Sequence, residues 1–120
     1  MARRPHLDTH SLKYWQGAFF VVAAVAAPTA GAALDNAAAQ AMMAKDGCAA
    51  CHSIDKKIVG PAYQDVAAKY KGDKDAVAKL ADKVKKGGVG VWGQIPMPPN
   101  VQVSDGDIKD LVTWVLTLKK

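Results

Sequence analysis

From position 34 onward, apolar residues recur with a period near 3.6, and most of the runs close on a glycine. Ala39, Met42 and Met43 share one face of a segment that Asp35 or Asn36 can cap, running to about Lys45 before Asp46-Gly47 stops it. Tyr63, Val66, Ala67 and Tyr70 form the stripe of a second helix over 62–71, closed by Gly72. A third helix, over 73–86, turns Val77, Leu80, Ala81 and Val84 inward and its lysines outward, and Gly87-Gly88 ends it. The last begins behind Ser104, an N-cap supported by Asp107 three residues on. Ile108, Leu111, Val112 and Val115 then follow at i, i+3, i+4 and i+7, and Lys119-Lys120 suit the negative end of that helix. No strand pattern competes. The prediction is an all-α fold of about four helices.

Two stretches stand outside this periodicity. Residues 53–61 read as a loop, with Gly60-Pro61 as its turn signal. Residues 87–103 contain Gly87, Gly88, Gly90, Gly93, Pro96, Pro98 and Pro99, too many breakers for regular structure. So long a loop in so small a domain is usually functional.

The first third of the chain has the character of a targeting segment. Arg3, Arg4 and Lys13 supply a positive start, residues 17–27 are uncharged and apolar, and Pro28 breaks them. Ala30-Gly31-Ala32, or Gly31-Ala32-Ala33, offers the small-x-small pattern of a cleavage site, so residues 1–33 are expected to be a signal peptide and 34–120 the mature domain. An uncleaved membrane anchor is the alternative, because the apolar stretch continues to Leu34 and approaches the ~20 residues a span requires. Pro5-His6 after the twin arginines argues for general unfolded export.

Length and charge narrow the rest. The chain has 120 residues, enough for one domain. Taking Arg3, Arg4 and Lys13 from its 16 cationic residues leaves 13, all lysine; taking Asp8 from its 11 acids leaves 10, all aspartate. The mature net charge is then about +3, with no arginine and no aromatic-basic patch, which gives no case for nucleic acid. A domain this short is marginal without a disulfide, a metal or another non-peptide core component.

Cys48-Ala49-Ala50-Cys51-His52 supplies that component. Two cysteines three apart, with histidine directly after the second, are the attachment signature of a c-type haem. Each thiol adds across one vinyl group, one helical turn sets both sulfurs along one edge of the macrocycle, and the next residue aims its imidazole at the iron. A structural disulfide leaves His52 unexplained. A thioredoxin-like redox pair requires strands alternating with helices, and a structural zinc site requires four ligands, whereas the other histidines, His6 and His10, fall in the leader.

His52 serves one face of the iron, and the other face decides the function. Because His52 is the sole histidine after the leader, a second histidine ligand is excluded, and methionine is the alternative. Met42 and Met43 precede the motif on the first helix and are expected to pack. Met97, bracketed by Pro96 and Pro98 in the long loop, is the expected ligand, since proline fixes the backbone on both sides. Methionine/histidine ligation raises the potential and closes both axial positions, which points to electron transfer and away from an enzyme. The competing reading is a haem gas sensor or peroxidase-like protein in which Met97 leaves the iron; a thiol–disulfide oxidoreductase is a third.

Taken together, the haem motif, Val59-Gly60-Pro61-Ala62-Tyr63, Gly90-Val91-Trp92-Gly93 and Ile95-Pro96-Met97-Pro98-Pro99-Asn100 resemble the small bacterial class I cytochromes c of the cytochrome c-551 type. The resemblance covers essentially all of the mature chain. It implies a class I cytochrome c fold wrapped around one covalent haem, and a soluble, monomeric periplasmic carrier. Such a carrier takes electrons from a quinol-cytochrome c reductase and gives them to a cytochrome oxidase or nitrite reductase. It further implies that Pro61 offers its carbonyl to the second nitrogen of His52, that Trp92 and Lys83 bind haem propionates, and that Asn100 orients the Met97 sulfur. Lys56, Lys57, Lys85 and Lys86 are candidates to surround the haem edge and steer an acidic partner.

Overall fold

Asp35 caps the first helix: its side chain accepts from the Ala38 N–H at 2.7 Å at the start of α1, Asn36–Lys45. The computed structural model describes residues 33–120; apart from its boundary residue Ala33, the expected leader lies outside them. A short 3-10 turn at Cys48–Ala50 follows, then α2 (Tyr63–Lys69), α3 (Ala76–Lys86) and α4 (Asp105–Thr117). Among the described residues there is no strand, only two isolated bridge pairs, His52 with Lys57 and Gly88 with Met97. The described residues form the four helices that the periodicity predicts.

α4 is the spine. Its N-cap Ser104 accepts from the Asp107 N–H at 3.1 Å, and the helix packs against α1, α2 and α3. Ile108, Leu111, Val112, Trp114 and Val115 are buried on it and meet Ala39 and Met43 of α1, Val66 of α2, Leu80 of α3 and Val103 of the preceding loop. Met43 packs as expected, with Met42 half-buried beside it.

Three boundaries differ from the periodicity, each for a local reason. α3 starts at Ala76 because the Asp73 carboxylate accepts from the Asp75 N–H at 2.9 Å and grips Lys79 Nζ at 2.8 Å, holding a turn where helix is predicted. α2 is shorter than its apolar stripe: Ala62 is extended as the N-cap, and Tyr70 already caps the other end before Gly72 turns at φ 82°. Lys119 and Lys120 fall beyond the extended C-cap Leu118, so they do not sit in the last turn of α4. Lys120 pairs instead with Asp65 of α2 at 2.5 Å.

Candidate functional site

α1 stops at Asp46, Gly47 takes the left-handed conformation at φ 79°, and the chain tightens into the 3-10 turn. The N–H groups of Cys51 and His52 both donate to the Cys48 carbonyl, at 3.1 and 3.0 Å. That shared acceptor winds the motif so that both cysteines and the histidine line a single cleft. Both cysteine side chains are partly buried.

The His52 ring is held by the segment that follows it in space. Its Nδ1–H donates to the Pro61 carbonyl at 2.8 Å. A carbonyl can only accept, so this bond fixes the tautomer and leaves Nε2 with a free lone pair. The Gly60 backbone lies against the same ring: a Cβ there would stand 2.5 Å from Cε1 and 2.9 Å from Nδ1. Tyr63 stacks on the imidazole, with centroids 5.0 Å apart and planes 19° from parallel. Tyr63 in turn meets Trp114 edge-on at 6.2 Å, and Trp114 Nε1 donates to Asn36 Oδ1 at 3.0 Å. Burial, ahead of the nearby Cys48 and Cys51, pushes the Tyr63 phenol well up, so it stays neutral.

The long loop brings Met97 to the same cleft. Gly88 and Met97 exchange both backbone hydrogen bonds, at 3.0 and 2.8 Å. Gly87, at φ 71°, lets the turn pass: a Cβ there would overlap the Met97 carbonyl and lie 2.8 Å from Pro99 N. Asn100 clamps the far side. Its backbone N–H and its side-chain Nδ2 both reach the Val84 carbonyl at 3.1 Å, and Nδ2 also reaches the Pro98 carbonyl at 3.1 Å. Nδ2 thus has both hydrogens on carbonyls, which ties the backbone beside Met97 to α3. Lys85 secures the loop's end on the Val103 carbonyl at 2.8 Å and Asp105 at 3.0 Å.

The cleft has the shape and chemistry of a haem seat. It measures about 1350 Å³ with its open mouth counted. Its walls are Val66, Leu80 and the same Ile108, Leu111, Val112 and Val115 that form the α4 stripe, so the apolar core and the cleft are one surface. Val89, Val91 and Ile95 lie exposed beside it, 44–65% accessible, where an apolar plate would cover them. Lys83 and Trp92 also line the cleft; Lys83 folds over Gly88, and Lys69 Nζ stands 5.5 Å above the Trp92 ring. The lysines expected to steer a partner divide. Lys85 holds the loop, whereas Lys56, Lys57 and Lys86 are exposed, Lys86 beside Asp82 at 2.6 Å.

All eight residues singled out from the sequence therefore meet around this cleft: Cys48, Cys51, His52, Pro61, Lys83, Trp92 and Met97 on its lining, with Asn100 among them as the loop clamp. Gly60, Gly87, Tyr63 and Trp114 carry more of the geometry than periodicity indicates. A glycine directly before proline and directly after the β-branched pair Ile58-Val59 was the available signal for the first.

Four helices on one apolar cleft, with two thiols and an imidazole on a single turn, define a small class I monohaem cytochrome c. The model of the cytochrome c family matches residues 36–119, and the chain belongs to that family. It is 51% identical over 105 residues to cytochrome c-552 of Nitrosomonas europaea, covering 88% of this chain and 96% of that one. It is 62% identical over 74 residues to cytochrome c-551 of Allochromatium vinosum, covering 62% and 79%. The crystal structure of the Nitrosomonas europaea cytochrome c552 matches with a TM-score of 0.65 at 56% identity, over 67% of this chain and 99% of that one. The protein carries one covalently bound haem c and is a small electron-carrier haem protein with redox-protein partners. No helix among the described residues is long and apolar enough to cross a membrane.

Proposed function

We propose that residues 34–120 act as a periplasmic one-electron carrier, exported behind a cleaved leader over 1–33, with the iron held between His52 Nε2 and the Met97 sulfur. The observation that carries this reading is the 2.8 Å bond from His52 Nδ1 to the Pro61 carbonyl, facing a cleft that Met97 also lines. The haem supplies a single iron that gains or loses one electron. Cys48 and Cys51 would hold it through thioether bonds to its two vinyl groups. The Pro61 carbonyl makes His52 a fixed and more basic ligand. The soft thioether of Met97 favours the reduced state and so raises the potential relative to a second imidazole. With His52 and Met97 both holding the iron, no position would be left open to oxygen or peroxide. Lys83 and the Trp92 indole N–H, both on the lining of the cleft, would receive the propionates, and Asn100 would hold the backbone that carries Met97.

The donor in this reading is a quinol-oxidising complex and the acceptor a terminal oxidase or nitrite reductase. Exposed lysines such as Lys56 and Lys57 would speed encounter with an acidic partner in a salt-dependent way. Carbon monoxide tests the closed iron: the reduced protein is expected to take up none at neutral pH, and rapid uptake would favour the sensor or peroxidase-like alternative. The mass of the exported protein tests the leader, with a start at Ala33 or Leu34 expected. A retained apolar segment would make the protein membrane-anchored.

A further inference from the structure

Gly60, Pro61 and Tyr63 fall within four successive residues, and all three meet the His52 ring. Their constraints differ in kind. The Pro61 hydrogen bond fixes where Nδ1 sits, but a hydrogen bond tolerates wide tilts, weakening steeply only below about 120°. Gly60 blocks one arc of the ring by contact alone. The stacked Tyr63 ring, 19° from parallel, is the contact that specifies a plane. Nor can Tyr63 follow a turning imidazole. Its ring abuts Trp114 at 77°, and Trp114, 4% exposed, is pinned through Nε1 to Asn36 at the start of α1. A braced line thus runs from α1 through α4 and α2 to the haem motif.

We propose that Tyr63 is a positioning residue: braced by Trp114, its ring sets the angle of the His52 imidazole plane about the bond from Nε2 to iron. This rests on the reading of His52 as axial ligand. The consequence is electronic. The imidazole π orbital overlaps whichever iron d orbital lies across its plane, so its angle determines the macrocycle axis along which the unpaired electron of the oxidised form spreads. Tyr63 therefore influences which haem edge couples most strongly to a partner, without changing a ligand.

Proton NMR of the oxidised holoprotein reads this angle directly, through the order and spread of the paramagnetically shifted haem methyl resonances. Tyr63→Phe keeps the ring and is expected to leave the pattern as in the wild type. Tyr63→Leu removes the plane and is expected to reorder or compress it. Trp114→Phe, which keeps the core filled but loses the bond to Asn36, is expected to shift the methyls in the same direction by less. A Tyr63→Leu pattern that superimposes on the wild type would overturn the proposal, as would a Tyr63→Phe shift equal to that of Tyr63→Leu. Should Tyr63→Leu give no holoprotein, an unshifted Trp114→Phe spectrum overturns it alone. A wild type without shifted methyls or a ligated-methionine signal would remove the axial-ligand reading and this one with it, whereas a normal wild type with unmoved variants removes only the role of Tyr63.

Discussion

Gly60→Ala isolates the hold on His52 from every other feature of the fold. Gly60 is absent from the glycines with positive φ, so alanine meets no backbone penalty, and the new methyl group is the whole perturbation. That methyl would stand 2.5 Å from Cε1, 2.9 Å from Nδ1 and 3.1 Å from Nε2, where carbon contacts settle near ~3.5–4.0 Å. About 1 Å of overlap must therefore be relieved. The ring has nowhere to go, since Pro61 holds Nδ1 at 2.8 Å and Tyr63 stacks on it at 5.0 Å. Either the 60–61 backbone retreats and takes the Pro61 carbonyl with it, or the ring turns and leaves that carbonyl. Overpacking a filled site costs about 1–3 kcal/mol and loss of the hydrogen bond about 1 kcal/mol, so roughly 2–4 kcal/mol is expected. In a domain of this size that lowers the melting temperature by on the order of 10–20 °C. Thermal unfolding of the holoprotein followed by circular dichroism measures it. A Gly60→Ala protein within about 0.5 kcal/mol of the wild type, with an unchanged visible spectrum, would refute the packing described for His52.

Other substitutions probe the opposite wall and the surface. Gly87→Ala places a methyl into the Met97 carbonyl at a left-handed φ of 71°, and is expected to cost about 2 kcal/mol or more and to displace Met97, seen as carbon monoxide uptake by the reduced protein. Asn100→Ala removes the side-chain bonds to the Val84 and Pro98 carbonyls; a loss of about 1–3 kcal/mol in denaturant unfolding is expected, with Met97 released at a lower alkaline pH than in the wild type. Asp73→Asn tests an exposed pair by pH. The hydrogen bond from Lys79 holds the Asp73 carboxyl below the usual carboxylate range, so its contribution is present above that range and is lost as pH falls through the lowered value. Wild-type and Asp73→Asn melting curves are expected to differ slightly near neutrality and to converge in acid.

Much of this arrangement was legible along the chain because it depends on local spacing. The stripe Ile108, Leu111, Val112, Val115 needs only helical geometry to become both core and cleft wall, and Ser104 with Asp107 marks its start. The haem motif is likewise a matter of one turn. What remained hidden depends on what approaches from elsewhere. Gly60 and Gly87 look alike as turn residues; only the fold reveals that one makes room for His52 and the other for the Met97 carbonyl. Trp114 lies 78 residues from its partner Asn36, and no periodicity links the two. The carbonyls that Asn100 grips, Val84 in α3 and Pro98 in the loop, come together only in the fold. Lys85 is a surface lysine by sequence, yet it fastens a loop.

The near-infrared edge of the visible spectrum of the oxidised holoprotein bears most directly on the iron being closed by His52 and Met97. A weak sulfur-to-iron charge-transfer band is expected in the wild type and in Met42→Leu and Met43→Leu, whose side chains pack on or beside the core. The same band is expected to vanish in Met97→Leu while the haem remains attached at Cys48 and Cys51. A band that persists in Met97→Leu, or that is missing from the wild type, would contradict the closed iron and with it the electron-carrier mechanism.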